Sequence, residues 1–239
     1  MILVDTVYQK VLALANKEQR GYITPQDFNL FANQAQLELF EQYFYDVNTA
    51  RRNQGNDTVY ADIDDMLEEK LQIFEVNENP QDVANLWLPI NVNEYQVPDN
   101  VYRIHRINFN TVSAEILSTK DFNDCMEGGM LLNPTNDRPI ANIRNNRVRV
   151  VGTGNNNINP TNIWYFRVPT KVQWTYIVIN KQAMYSANIL TANFELHPSE
   201  ENQLVNKILR LAGIANEQQE VMRAGHEMDT LTVKQQPKI

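Results

Sequence analysis

Cysteine occurs once in 239 residues, at Cys125, so no disulfide can form within the chain and no thiolate cluster can hold a metal. Glycine is also scarce, with 8 residues, well under the usual share of about 7%, which makes a Gly-rich phosphate cradle a poor expectation. The three histidines, His105, His197 and His226, stand apart, without a second His or Cys at helical or hairpin spacing, so a zinc site is not expected. No run approaches the roughly 18 uncharged apolar residues that cross a bilayer. Met1-Ile2-Leu3-Val4 meets Asp5 before any signal-peptide apolar region develops. These absences predict a soluble, non-secreted chain with no membrane partner, stabilised by packing or by neighbouring chains.

What is present is ordinary globular material. Hydrophobic residues make up 43% and charged residues 21%, enough to bury a sizeable core, and the formal charge is −8. The length suits one generous domain or two small ones. Asparagine is unusually common, at 31 residues.

Val4, Val7, Tyr8, Val11, Leu12 and Ala15 recur at three and four residues and predict a first helix. Thr24-Pro25-Gln26-Asp27 then supplies a hydroxyl cap, a proline at the first helical position and a first-turn acid. The stripe that follows, Phe28, Phe31, Ala32, Ala35, Leu39 and Tyr43, is joined by Leu30, Leu37, Phe40 and Phe44. Apolar residues thus cover more of the helix than one core requires, implying a second packing partner. Residues 46–57 read as a solvated loop, and a third helix is expected from Ala61 to Phe74. From Pro80 the pattern changes to short β-branched and aromatic runs broken by Pro, Asn and Asp. Within that stretch Ser118 opens a short helix that Gly128-Gly129 ends, and Asn145-Asn146 joins 140–144 to 147–151 as a hairpin. Further strands are expected over 163–168 and 172–179. A helix follows His197-Pro198 and stops near Gly213, and a last one spans 217–228. The expected fold class is α+β: a helical part (1–79), a β-rich part (80–196), C-terminal helices (197–228) forming a bundle with the N-terminal ones, and an extended tail (229–239).

Nothing in this pattern specifies a reaction. The acids Asp57, Asp62, Asp64, Asp65, Glu68 and Glu69 lack the central glycine and loop spacing of an EF-hand and read as a solvated helix face. Gly152-Thr153-Gly154 misses the third glycine of a dinucleotide fingerprint and opens a loop, so it reads as a turn. Cys125 lies beside Asp124 and Glu127, acids that disfavour a thiolate, and reads as a half-buried structural thiol. The one local reversal of charge is Arg138, Arg144, Arg147, Arg149 and Arg167 around the predicted hairpin, where Arg147 and Arg149 share a strand face. That cluster suits either nucleic-acid phosphates or an inter-subunit contact with the acidic 62–69 face.

Two segments carry a resemblance. Tyr8-Gln9-Lys10-Val11-Leu12-Ala13-Leu14-Ala15-Asn16-Lys17, leading through Gly21-Tyr22-Ile23-Thr24-Pro25-Gln26-Asp27-Phe28-Asn29 to Ala35-Gln36-Leu37-Glu38-Leu39-Phe40, resembles virion structural proteins of tailed phages, particularly the crAss-like phages of gut Bacteroidetes. Asn193-Phe194-Glu195-Leu196-His197-Pro198-Ser199-Glu200-Glu201, with Val205 to Ile214 after it, looks like the closing helix of the same group. Helices at both ends around a β-rich middle are similar to head-to-tail connectors, the adaptor rings beneath the portal of short-tailed phages. The resemblance implies a non-enzymatic subunit without cofactor that forms a ring with itself, usually of twelve copies. Its partners would be the portal protein and the next tail ring protein, with genomic DNA passing through without specific binding. The expected location is the head–tail junction of the virion, and the host cytoplasm during assembly. An acidic chain suits such a conduit, because a negative lumen repels passing DNA. Expected subunit or portal contacts are Phe31, Leu39, Arg147 and Arg149, with Val233, Pro237 and Ile239 of the tail docking on the portal. The competing expectations are another tail-barrel or neck ring protein, a phage-encoded hydrolase acting on glycans, and a DNA-binding packaging factor.

Overall fold

A computed structural model describes residues 1–17, 23–52, 58–82, 87–91, 94–129, 132–180, 182–187 and 190–215. The described helices are α1 (Val4–Lys17), α2 (Pro25–Arg52), α3 (Thr58–Gln72), α4 (Thr119–Glu127) and α5 (Glu201–Ala215). The strands are β1 (Glu75–Glu78), β2 (Leu88–Asn91), β3 (Glu94–Gln96), β4 (Val101–Phe109), β5 (Val112–Ile116), β6 (Ile140–Arg144), β7 (Arg147–Val151), β8 (Asn162–Arg167), β9 (Tyr176–Ile179) and β10 (Gln182–Tyr185). The fold is α+β. It divides into two compact units, one of Met1–Ile73 with the described part of Pro169–Ile239, the other Phe74–Val168. The unit boundaries thus fall at 73/74 and 168/169, where the sequence pattern suggested 79/80 and 196/197.

In the first unit the helices form for the reasons their spacing suggests. Thr24 caps α2, its hydroxyl accepting from the Asp27 N–H at 3.2 Å and donating to the Asp27 carboxylate at 2.6 Å. Val4, Val7, Tyr8 and Val11 of α1, Phe28, Ala32, Ala35, Leu39 and Phe40 of α2, and Leu204, Val205 and Ile208 of α5 are all buried. Each of the Val, Leu, Ile and Phe side chains among them stabilises the fold by about 1.5–3 kcal/mol, and each alanine methyl by about 0.8 kcal/mol. Charge pairs join these elements: Lys10–Glu201 at 2.8 Å, Arg210–Glu38 at 2.8 Å, and half-buried Lys70 with buried Glu200 at 2.5 Å.

A second set of contacts replaces a missing strand. The segment 170–174 runs extended, and its polar groups on one side are met by amide side chains of α2. Asn29 accepts from the Trp174 N–H at 2.8 Å and donates to the Trp174 carbonyl at 3.2 Å. Asn33 does the same for Val172, at 2.7 and 2.9 Å. Gln36 donates to the Thr170 carbonyl at 2.8 Å and accepts from the Glu195 N–H at 3.1 Å. Positions 29, 33 and 36 lie on one helical face, matching an extended chain's every second residue. On its other side Gln173 exchanges two backbone bonds with Ala192, both 3.1 Å.

The second unit is an eight-stranded sheet in the order β1-β8-β4-β5-β6-β7-β3-β2, antiparallel except where β5 meets β6. It curls until both ends share one core of Trp87, Tyr95, Val148 and Val150 with Ile107, Ile163 and Tyr165. The Trp87 ring meets Tyr165 edge-on at 5.9 Å, and its indole N–H donates to Glu78 at 3.0 Å. Burial, with the Glu78 carboxylate close by, pushes the Tyr165 phenol up to about 12. On the opposite face α4, capped by Ser118, packs Phe122 onto Ile140 and Val151, with half-buried Cys125 alongside.

Asparagine takes over work usually given to glycine. The described non-glycine residues with positive φ are Asn110, Asn145, Asn146 and Asn180, all at hairpin turns. Asn enters the left-handed region more readily than other side-chain-bearing residues, which reconciles abundant tight turns with so few glycines.

Several local expectations are corrected. Helix α2 continues through the expected loop to Arg52, because Val47 keeps the buried stripe going one turn beyond Tyr43. Helix α5 passes through Gly213 to Ala215. Of the run 172–179 only Tyr176–Ile179 is a strand, the earlier part being bound by helix amides instead. Strands β1, β5 and β10 were not anticipated, β1 because Glu-Val-Asn-Glu carries too little apolar content to read as one. The expected helix 217–228 and the tail lie outside the described residues.

Replacing Asn33 by Leu leaves the Val172 N–H and carbonyl unpaired in a buried setting, a loss of about 3 kcal/mol. Urea unfolding reads the loss, and amide exchange at Val172 should quicken ahead of that at Val205.

Candidate functional site

The β6–β7 hairpin gathers the positive charge. Its turn, Asn145-Asn146, has φ of 52° and 58°, the geometry that matches strand twist in a two-residue connection. The register pairs Arg144 with Arg147, Ile143 with Val148 and Asn142 with Arg149. Val148 and Val150 point into the sheet core, so Arg147 and Arg149 share the other face with Val151, as alternation requires. Helix α4 covers the Val151 end of that face and leaves the arginine end bare. The result is a shallow cleft of about 400 Å³ lined by Arg144, Arg147, Arg149, Asn142, Glu94 and Phe122.

Arg149 is held in place. Its Nε donates to Asn157 at 2.7 Å, Glu94 lies 3.9 Å away, and its guanidinium sits 5.7 Å from the centre of the Phe122 ring. Arg144 and Arg147 make no ion pair among the described residues, although they face each other across the ladder. Like charges directly opposite destabilise a strand pair. The cleft therefore suits oxyanions, offered guanidinium groups by all three arginines and amides by the neighbouring asparagines. Arg138 lies apart from it, paired loosely with Glu115 at 3.7 Å, and Arg167 sits on β8.

A second surface was missed by sequence reasoning. Strands β9 and β10 pair only with each other among the described residues. Tyr176, Val178, Ala183 and Tyr185 occupy one face, and Ile177, Ile179 and Met184, with Gln182 at the turn end, the other. Both faces are predominantly apolar, yet Val178 is 67%, Met184 51% and Ile177 50% exposed. The base is firmly anchored. Trp174 is buried, donates its indole N–H to Asp5 at 2.9 Å and stacks on Tyr176 at 5.7 Å, while Thr175 donates to the Ser186 carbonyl at 2.6 Å. The available signal was that Tyr-Ile-Val-Ile lacks alternation, as in strands covered on both sides.

The other expected contact residues are placed as follows. Leu39 is fully buried in its own unit's core, so it offers nothing to a second chain, whereas Phe31 is half-buried and its chain neighbour Leu30 is exposed, as is Leu37 further along α2. Val233, Pro237 and Ile239 lie outside the described residues, as does His226. His197 caps the turn before α5, its Nδ1 accepting from the Ser199 N–H at 3.3 Å, and His105 pairs with Glu75 at 3.0 Å. Among the described residues no group of three or more His, Cys, Asp or Glu is arranged to hold a metal ion, and no helix is long and apolar enough to cross a membrane. The chain matches no protein-family model and no curated protein sequence.

Burial holds the His105 imidazole below its ordinary value, against the opposing pull of Glu75. The folded state therefore binds fewer protons than the unfolded chain between that lowered value and 6.5. This group's contribution to stability is complete above the window and is lost as pH falls through it. In an NMR titration, Glu75→Gln should move the His105 midpoint further down.

Proposed function

We propose that this chain is a non-enzymatic virion structural protein, a ring-forming head-to-tail connector subunit that sits beneath the portal and contributes to the DNA conduit. The observation that carries the assembly reading is the β9–β10 hairpin. A two-stranded ribbon is at best marginally stable alone in water, and this one presents large apolar side chains on both faces. Exposed apolar surface of this kind is characteristic of protein interfaces. Its rigid base and bare tip suit an arm that inserts into a neighbouring subunit.

The lineage part of the reading rests on the resemblance to crAss-like phage virion proteins. Both segments that carry it fall in the same compact unit, where α5 lies against α1 and α2. We take the N- and C-terminal helices as a bundle that scaffolds lateral packing, with the curled sheet available for axial stacking. The acidic balance of −8 favours a passage that DNA traverses without sticking. Partners on this reading are further copies in a ring of twelve, the portal protein and the next tail ring protein.

Two experiments test it. Native mass measurement of the purified chain should find high-order oligomers, and Ile177→Lys with Val178→Lys should leave folded monomers of unchanged far-UV CD. A lone wild-type subunit that hydrolyses a glycan would instead favour the hydrolase alternative. Deleting residues 230–239 should leave a folded chain that co-purifies less with the portal; unchanged co-purification removes the tail from the portal contact.

A further inference from the structure

We propose that the arginine cleft of β6 and β7 is a socket for the acidic outer face of helix α3 from a second copy of this chain. The inference deepens the assembly reading above and rests on it.

The cleft is built to receive carboxylates. Arg149 is oriented in advance by Asn157 and by the Phe122 ring, so little side-chain entropy remains to be lost on binding. Arg144 stands opposite Arg147 in the ladder, and neither has an ion-pair partner among the described residues. An anion bridging them would offset a repulsion that the isolated chain carries.

The same chain supplies a matching anionic surface. Asp65 and Glu69 are exposed on α3, one helical turn apart, and exposed Met66 and Ile73 flank them. Residues four apart on a helix are separated by about 6 Å along its axis. Residues two apart on one strand face, as Arg147 and Arg149 are, stand about 6.7 Å apart. Two carboxylates can therefore meet two guanidiniums without distortion of either element. Met66 and Ile73 give the face the mixed apolar and charged character of an interface rather than of a purely solvated surface.

Nucleic acid fits less well. Phosphate-backbone binding gains strength from many contacts, while this cleft offers three arginines, includes Glu94, and belongs to a chain of net charge −8 that repels polyanions at longer range. A side-chain carboxylate from a packed protein face needs no more than the cleft provides. Because socket and plug are different patches of one chain, each copy keeps one of each to offer a further copy, and a head-to-tail contact of that kind closes into a ring when the rotation allows.

The test uses complementary charge reversal in the full-length chain. Variant one is Arg144→Glu with Arg147→Glu; variant two is Asp65→Lys with Glu69→Lys. All four sites are exposed, and thermal melts followed by CD should match the wild type. By sedimentation, each variant alone should need at least about tenfold higher concentration for half-assembly, because like charges then face each other. An equimolar mixture should assemble as the wild type does, since acidic sockets meet basic helices and basic sockets meet acidic helices in alternation. Variants that assemble normally overturn the socket while leaving the wild-type oligomer, and with it the assembly reading, intact. Loss in both without rescue on mixing shows that the socket takes some other partner, and normal assembly of variant one with weakened duplex DNA retention assigns the arginines to phosphates. A wild type that remains monomeric overturns both proposals.

Discussion

An extended chain needs partners for its backbone on both sides, and in the helical unit one side of segment 170–174 finds them on a helix. Asn29, Asn33 and Gln36 present amides to it much as a neighbouring strand would, over separations of 134 to 145 residues along the chain. Without them Val172 and Trp174, both buried, would bring unpaired N–H and carbonyl groups into the core at a cost of about 1–3 kcal/mol each. The amide ladder is thus what permits a segment with a single strand-like neighbour to lie against α2. It also places Trp174, and Trp174 anchors the β9–β10 ribbon. The exposed arm depends on a polar contact at its root.

The two surfaces use different physics. On the ribbon the driving force is apolar area, which is non-directional and gives strength to an association rather than register. In the arginine cleft it is charge, whose spacing discriminates between partners and fixes orientation. On the assembly reading proposed above, the first patch would supply adhesion and the second geometry. The asparagine-rich composition belongs to the same economy of means: Asn shapes the hairpin turns at 110, 145, 146 and 180, ties α2 to the extended segment, and through Asn157 holds Arg149.

Much of the local structure is legible in residue spacing. The Thr24 cap, the α1 stripe and the Asn145-Asn146 turn follow from neighbours within a few positions, and so does the shared face of Arg147 and Arg149. Reading failed where a few apolar residues carried a long element. Val47 extends α2 through a stretch that looks like loop, and β1 pairs with β8 although its own sequence is mostly polar. The width of the α2 stripe did not separate Leu39, which is core, from exposed Leu30 and Leu37. Of the candidate surfaces, the arginine hairpin was visible and the ribbon was not, because bareness on both faces is a property of surroundings.

By itself the sequence determined which residues share a face, since strand and helix periods of two and 3.6 are local geometry. It also determined where turns fall, through asparagine's tolerance of positive φ. Only the tertiary structure decided which face meets which. It set Phe122 beside Arg149, matched the amides of α2 to a segment more than a hundred residues away, and left Tyr176–Ile179 uncovered. Periodicity specifies a direction for each side chain, whereas a partner is selected by the packing of distant elements, and that choice is made by the free energy of the whole fold.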